Sequence, residues 1–308
     1  MTPLRSILLA TALATLSAPA FAACDKVTFS DVGWTDITAT TAVATTILKA
    51  LGYQTDVKIL SVPVTYTSLA SGDIDVFLGN WMPTMEADIA PYREAGTVDT
   101  LGVNLTGAKY TLATNTHGAA LGITDFAAIA AQRDALGGRI YGIEPGNDGN
   151  RLILDMIEAD AFGLAGFEVV ESSEQGMLAQ VQRSERRNEP VIFLGWEPHP
   201  MNANFEMTYL AGGDDWFGPD FGGAEVYTNT RAGYVGECAN VGQFLQNLEF
   251  TLELENEIMG AILDDGAEPG DAARSWLAAN PEVLAPWLEG VTTRDGGDAL
   301  EAVSAALN

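Results

Sequence analysis

The stretch DVFLGNWMPTM at residues 75–85 has a second copy, VIFLGWEPHPM, at residues 191–201. In each copy a short apolar run reaches a glycine, a tryptophan follows, and the chain then turns through proline and methionine. An apolar run of this length, closed by Gly and Pro, is typical of a buried strand with a loop at its carboxyl end. We therefore predict that Trp81 and Trp196 lie where two equivalent strands end.

The likeness extends upstream of both copies. An apolar run, a turn and a helical pattern precede each of them, and the spacing from Trp34 to Trp81 nearly equals that from Asn147 to Trp196. Two βαβ-type halves of similar length are indicated. Because open parallel sheets bind ligands outside the carboxyl ends of their strands, the sequence predicts a cleft between the two halves.

Three further side chains are placed near this cleft. Asp36 follows Trp34 by two residues and has two interpretations that do not exclude each other: it caps the next helix, or it offers a carboxylate to a ligand. Tyr110 lies in a strand-like segment that is expected to carry the chain out of the first domain, which makes it a candidate wall of the cleft. Asn147 lies in a turn-rich loop and offers both a donor and an acceptor. Residues 57–66 are rich in β-forming residues and predict a further strand.

The first residues have the features of a secretory signal peptide. Arg5 supplies a positive charge, residues 7–16 an apolar stretch, and residues 20–22, Ala-Phe-Ala, a cleavage site. We therefore predict a signal peptide over residues 1–22 and a mature protein that is soluble outside the cytoplasm.

The chain has two cysteines, Cys24 and Cys238. In an oxidising compartment an even count favours a disulfide, which would tie the mature N-terminus to a late segment and place both in one domain. The alternative is a lipoprotein with Cys24 acylated. Phe21 stands where such signals usually carry leucine, and Cys238 would then be unpaired, so we favour the disulfide.

Composition restricts the class of function. A formal net charge of −27 argues against binding nucleic acid or anionic lipid through counterion release. The chain contains two histidines, His117 and His199, and its sequence has no G-x-S-x-G motif and no His/Cys cluster with metal-ligand spacing. His199 lies in the turn of the second repeat, where a turn or surface position is expected. We therefore predict a binding protein, not an enzyme, with no cofactor and no metal.

Aromatic rings around the predicted cleft favour one kind of ligand. A quaternary ammonium group cannot donate conventional hydrogen bonds and is held by ring faces, each worth about 0.5–1 kcal/mol when exposed and about 2 kcal/mol when desolvated. Trp34, Trp81, Tyr110 and Trp196 together could supply on the order of 4–8 kcal/mol, which brings micromolar affinity within reach. A sugar-binding lectin would also use tryptophans, but it would usually add several Asn, Asp or Arg side chains, and the loops after these strands offer few.

These residues lie in motifs that resemble a known family. The segments FSDVGWTDITATT, DVFLGNWMPTMEADIAPY, YGIEPGNDGNR and FLGWEPHPMNANF are similar to those of the periplasmic choline-binding proteins of bacterial ABC importers, within the wider glycine-betaine-binding group. The resemblance covers essentially the whole mature chain. It implies a two-lobed, hinge-bending α/β receptor of the type II periplasmic-binding-protein class, with the ligand in the cleft between the lobes.

The resemblance also implies partners and roles for single positions. The chain would act as a monomer that hands choline to an ABC transporter permease powered by a cytoplasmic ATPase. Lobe 1 is predicted over residues 23–111 and 224–308, and lobe 2 over residues 112–223. Cys24 and Cys238 match the family disulfide. The implied ligand-binding residues are Trp34, Trp81, Tyr110 and Trp196 around the trimethylammonium group, with Asp36 and Asn147 at the hydroxyl group.

Two alternatives belong to different classes. Glycine betaine, or another betaine, carries a carboxylate, which would need Arg, Lys or several backbone N–H groups and would be repelled by Asp36. A secreted enzyme that acts on choline-containing compounds would need a nucleophile or a metal near the rings.

Overall fold

The computed structural model describes residues 24–308, so the signal peptide predicted for residues 1–22 lies outside the described residues. The described residues form an α/β fold around a nine-stranded sheet. The strands are β1 (Lys26–Asp31), β2 (Gln54–Ile59), β3 (Val76–Met82), β4 (Val98–Asn115), β5 (Arg139–Tyr141), β6 (Glu168–Val170), β7 (Ile192–Glu197), β8 (Met207–Tyr209) and β9 (Gly223–Arg231).

Helices connect these strands and make up the C-terminal part of the chain. None of the helices within residues 24–308 is long and apolar enough to cross a membrane. Short 3-10 turns lie at Ala130–Gln132, Ala161–Gly163 and Pro281–Val283. The α-helices are α1 (Thr35–Ala50), α2 (Val62–Ser71), α3 (Glu86–Glu94), α4 (Thr116–Ala120), α5 (Phe126–Ile129), α6 (Asp148–Glu158), α7 (Glu174–Arg187), α8 (Met201–Asn204), α9 (Asp214–Phe217), α10 (Pro219–Gly222), α11 (Tyr234–Glu237), α12 (Ala239–Asn247), α13 (Leu252–Leu263), α14 (Pro269–Ala279), α15 (Leu284–Trp287) and α16 (Ala299–Leu307).

The sheet consists of two parallel triplets joined by an antiparallel pair of strands. The strand order is β2-β1-β3-β9-β4-β7-β5-β6, and β8 pairs with β4. Strand β1 lies parallel to β2 and β3, and β5 lies parallel to β6 and β7. We call β1–β3 with their helices the first half and β5–β7 with theirs the second half. In each half the earliest strand is central and the latest strand is nearest the β9–β4 pair, so the predicted duplication of a βαβ unit is confirmed.

Strand β4 runs through both halves of the molecule. From Val98 to Lys109 it pairs with β9, and from Lys109 to Thr114 it pairs with β7. The crossing occurs in the segment that was predicted to carry the chain out of the first domain. It places Tyr110 directly opposite Trp196 in the β4–β7 pair, so the two side chains lie on the same face of the sheet.

The repeat motifs form the buried strands β3 and β7. Nearly every residue in both is buried, which accounts for their continuous apolar runs, because strands covered on both faces do not alternate. A Cβ added to Gly79 in β3 would lie 2.7 Å from the side chain of Ile37, so this glycine lets α1 pack closely on the strand. In both repeats the peptide bond before the proline is cis, at Met82–Pro83 and Glu197–Pro198.

One local prediction is wrong in part. Strand β2 ends at Ile59, and α2 begins at Val62, so residues 57–66 do not form a single strand. Pro63 lies in the first turn of α2, where its missing N–H would have no partner within the helix. Helix α2 packs against α3 and the sheet, and this packing outweighs the β propensity of its side chains.

The predicted disulfide between Cys24 and Cys238 is present, with a sequence separation of 214 residues. It fastens the start of the described chain to the residue before α12. Helices α13 and α14 pack against α1, so the late part of the chain joins the first half. Because Cys24 is paired, the lipoprotein interpretation is not supported.

Reduction of this disulfide is expected to lower the free energy of unfolding by about 2–5 kcal/mol, because the bond restricts a very long loop in the unfolded chain. The measurement is denaturant unfolding of the mature protein with and without a reductant. The double variant Cys24→Ser/Cys238→Ser is the control and should give one curve under both conditions. Equal stability of the reduced and oxidised protein would contradict the prediction.

Candidate functional site

A cavity lies between the two halves, at the carboxyl ends of the strands that carry the repeats. All six residues predicted to bind ligand line this cavity, and Ile143 and Asp148 complete its wall. The four aromatic residues are each at most 5% exposed. The six predicted residues are Trp34, Asp36, Trp81, Tyr110, Asn147 and Trp196.

The four rings come from four different parts of the chain. Trp81 lies in β3 and Trp196 in β7, whereas Trp34 directly precedes α1. Tyr110 comes from the crossing strand β4 and lies between two tryptophans. Its ring centroid is 6.0 Å from that of Trp81 and 6.2 Å from that of Trp196, in edge-to-face geometry. Such contacts hold aromatic rings in defined orientations.

Hydrogen bonds hold the polar edges of two indoles. Nε1 of Trp34 donates to Oε1 of Glu144 at 2.8 Å, and Nε1 of Trp81 donates to Oδ2 of Asp36 at 3.2 Å. The first bond crosses from the first half to the second. Because their N–H groups are satisfied by protein acceptors, these indoles have no donor left that needs a ligand, and they can serve as apolar, electron-rich walls.

A glycine allows the tyrosine to reach the polar side of the cavity. The Tyr110 hydroxyl donates to Oδ1 of Asn147 at 2.9 Å, and the same oxygen caps α6 by accepting from the backbone N–H of Asn150 at 3.0 Å. A Cβ on Gly149 would collide with the Tyr110 hydroxyl. Asn147 is therefore both the N-cap of a helix and a hydrogen-bonded member of the cavity wall.

The interpretation of Asp36 as a helix N-cap is wrong. Helix α1 begins at Thr35 after the N-cap residue Trp34, whose side chain makes no capping hydrogen bond. Asp36 lies in the first helical turn and is only 1% exposed. Its Oδ1 has no hydrogen-bond partner among residues 24–308. The second interpretation remains, a buried carboxyl group with an acceptor available to a ligand.

The cavity and its surroundings are acidic. Burial raises the pKa of Asp36 to about 8, and the neighbouring Glu174 adds to this rise. Burial also raises the pKa of Glu144 to about 7 and that of Asp148 to about 6. None of the residues that line the cavity is Lys or Arg. A bound cation would favour the ionised forms of these carboxyl groups, so the site is suited to positive charge.

Several residues at the site were not identified from the sequence. Glu144, Asp148 and Glu174 belong to a set of 42 acidic residues, and nothing in the local sequence sets them apart. His199 lies in the turn between β7 and α8, as expected, but the expectation of a surface position is wrong, because this side chain is 1% exposed and its ring lies 4.9 Å from that of Trp196. Within residues 24–308, no group of three or more His, Cys, Asp and Glu side chains is arranged to hold a metal ion.

Comparison with known proteins assigns the family. Residues 25–279 match the model described as the substrate-binding domain of the ABC-type glycine betaine transport system. The chain belongs to this family. Substrate-binding domains of ABC importers are extracytoplasmic transport components, so the prediction of a solute receptor is confirmed in place of the enzymatic alternative.

Solved structures of similar proteins extend this result. An ABC-transporter choline binding protein in complex with choline is 70% identical, covers 92% of this chain and 99% of its own, and superposes with a TM-score of 0.92. A structure of an ABC-transporter choline binding protein in an unliganded semi-closed conformation has the same identity and coverage and a TM-score of 0.86. The glycine betaine/carnitine transport binding protein GbuC of Listeria monocytogenes is 32% identical over 130 residues, 41% of either chain. The predicted two-lobed fold is confirmed, and this substrate-binding domain is more similar to the choline complex than to the semi-closed form.

The raised pKa of Asp36 predicts a pH-dependent stability of the ligand-free protein. A carboxyl group with a folded-state pKa of about 8 and an unfolded value of about 3.9 binds its proton more tightly when folded. Its contribution to stability is therefore complete below about pH 4 and is lost as the pH rises towards 8. Asp36→Asn removes this loss, so its melting temperature relative to wild type should be higher at pH 8.5 than at pH 5.5.

Thermal melts of both proteins at the two pH values are the measurement. Asp134→Asn is the matched control, because Asp134 is exposed, and its difference from wild type should not change with pH. A melting temperature of Asp36→Asn that parallels wild type at both pH values would show that Asp36 does not hold a proton in the folded state.

Proposed function

We propose that this substrate-binding domain captures choline between its lobes and delivers it to an ABC permease powered by a cytoplasmic ATPase. In this proposal residues 23–111 and 224–308 form lobe 1 and residues 112–223 form lobe 2. The pairing of β4 with both halves and the packing of α13 and α14 on α1 support this division. A signal peptide over residues 1–22 would direct the chain to the periplasm, where it acts as a monomer.

The observation that carries the proposal is the cavity walled by four aromatic rings with carboxyl groups beside them. A trimethylammonium group placed there contacts ring faces that are almost fully shielded from water. Each shielded face contributes about 2 kcal/mol, so four faces contribute on the order of 8 kcal/mol before the costs of association. This contribution supports micromolar or tighter binding once polar contacts are added.

The polar end of the cavity fits the hydroxyl group of choline. Oδ1 of Asp36 has no protein partner among residues 24–308 and can accept a hydrogen bond from the hydroxyl group. Nδ2 of Asn147 donates one hydrogen to Asp148 at 3.0 Å and keeps a second for the hydroxyl oxygen. A donor and an acceptor thus face a group that has both functions. The negative charge of the ionised Asp36 also complements the cation.

A carboxylated betaine fits the same end poorly. Its carboxylate would meet Asp36 and Asp148, and none of the residues that line the cavity is basic. Two nearby backbone donors already serve protein carboxylates: the N–H of Gly33 donates to Asp31 at 2.7 Å, and that of Thr35 donates to Glu174 at 2.8 Å. Binding a betaine would therefore leave a buried charge unpaired, which is costly.

The proposal is tested by isothermal titration of the mature protein with choline and, in parallel, with glycine betaine, while tryptophan fluorescence is followed. We expect micromolar or tighter binding of choline with a fluorescence change, and binding of betaine at least about 100-fold weaker, because about 3 kcal/mol separates the two ligands. Tighter binding of betaine would mean that the polar end is misassigned. No binding of either ligand would refute the aromatic site.

Removal of one ring should weaken choline binding. Trp81→Ala deletes a desolvated ring face, so we expect a loss of about 1–2 kcal/mol or more, a factor of roughly 5–30 in Kd. Trp276→Ala is the matched control, because Trp276 lies in α14 and lines a different cavity. The same titration measures both variants. Equal affinities of wild type and a folded Trp81→Ala protein would remove this ring from the site.

A further inference from the structure

Thr35 lies between two residues of the proposed ligand site, Trp34 and Asp36, and is held by a residue from the other half. Oε2 of Glu174 accepts the backbone N–H of Thr35 at 2.8 Å, and Oε1 accepts its hydroxyl at 2.5 Å. Glu174 is the first residue of α7, 139 positions away. Thr35 is 4% exposed and Glu174 is 1% exposed. The two hydrogen bonds therefore join the halves in an environment that is nearly free of water.

These bonds cap the N-terminus of helix α1, which has no side-chain cap of its own. The first backbone N–H groups of any α-helix have no partner within the helix. Helix α1 begins at Thr35, and the side chain of its N-cap residue, Trp34, makes no capping bond. The carboxylate of Glu174 takes the place of a cap, and negative charge at a helix N-terminus is favourable. The cap of α1 thus comes from the opposite half of the molecule.

Glu174 is itself oriented by His199. Nδ1 of His199 accepts the backbone N–H of Met201 at 2.9 Å, which places the ring proton on Nε2. Nε2 lies 3.3 Å from Oε1 of Glu174 and donates to it. The other side of the imidazole packs against Trp196, with the ring centroids 4.9 Å apart. A continuous set of contacts therefore runs from one ring of the proposed site through His199 and Glu174 to Thr35.

Two other polar contacts between the halves are more exposed. Arg151 of α6 forms an ion pair with Asp88 at 2.9 Å, but its side chain is 33% exposed. Nδ2 of Asn204 donates to Asp264 at the exposed rim. Polar contacts that are partly open to water are screened more and contribute less than buried ones. The Glu174–Thr35 contact is buried and charge-assisted, and such bonds are the stronger class.

We propose that Glu174 is a positioning residue that holds the two lobes together. We call its pair of hydrogen bonds to Thr35 the latch. Its contact with Thr35 forms when the lobes close, holds the segment that carries Trp34 and Asp36, and slows release of the ligand. Glu174 is not among the residues that line the cavity, so it acts without touching the ligand. Because apparent affinity scales with the fraction of protein in the binding-competent state, loss of the latch weakens binding. This inference rests on the proposed capture of choline.

The test compares choline association and dissociation rates in Glu174→Gln and wild type by stopped-flow tryptophan fluorescence. Glutamine keeps the shape of the side chain but removes the charge that caps α1. We expect the dissociation rate to rise about tenfold or more and the association rate to change less than about twofold, since loss of one partner of a buried charged contact acts mainly on dissociation. The melting temperature of the ligand-free variant should stay close to that of wild type.

Matched variants separate the latch from a general loss of structure. Thr35→Val removes the hydroxyl and should also speed dissociation, whereas Thr35→Ser keeps the hydroxyl and should behave as wild type. The double variant Glu174→Gln/Thr35→Val should lose less binding free energy for choline than the two single variants lose in sum, because both substitutions act on one contact. Asn204→Ala, which removes a contact at the exposed rim, should leave the dissociation rate within about twofold.

Two results would overturn the latch. One is an unchanged dissociation rate in Glu174→Gln while wild type binds choline; the other is a fall in the ligand-free melting temperature that accounts for the whole loss of affinity. If wild type does not bind choline, the proposed function fails by itself. Small-angle scattering of the ligand-free proteins then tests whether Glu174 holds the lobes together. A larger radius of gyration for Glu174→Gln than for wild type would support it, and identical radii would refute it.

Discussion

A cation held by ring faces must be shielded from water, because the contact is worth about 0.5–1 kcal/mol when exposed and about 2 kcal/mol when desolvated. In the proposed site, the duplicated fold provides this shielding. Trp34 and Trp81 belong to the first half, Trp196 belongs to the second, and β4 carries Tyr110 between them. Neither half has enough rings to surround a cation alone, so the proposed site needs side chains from both halves.

Shielding a cation also means burying the groups that compensate its charge. Asp36, Glu144 and Asp148 are held in or beside the cavity, and burial raises the pKa of each. Hydrogen bonds from the indoles of Trp34 and Trp81 partly offset the desolvation of two of these carboxyl groups. A positively charged ligand would supply the remaining compensation, so the electrostatics and the aromatic wall favour the same class of solute.

The local sequence predicted the structure correctly where residue type and spacing decide it. The apolar repeats became buried strands, and the residues at their carboxyl ends met at one edge, as parallel strands require. Local patterns failed where packing from elsewhere intervened. The β-rich run at residues 57–66 turns into a helix at Val62. The helix cap that was expected from Asp36 is provided by Glu174. His199 has prolines on both sides, which favoured a surface position, but its side chain is buried.

The sequence by itself determined the duplication, the disulfide partners, the aromatic residues of the cavity and, through the family resemblance, the class of solute. These features depend on residue type and spacing along the chain. Apart from Asp36, only the tertiary structure decided which of the 42 acidic side chains lie at the cavity and which one joins its two sides. Thr35 and Glu174 are 139 positions apart and meet only when both halves are folded. A contact across such a distance leaves no periodic or local trace in a single sequence, because it depends on the packing of whole lobes.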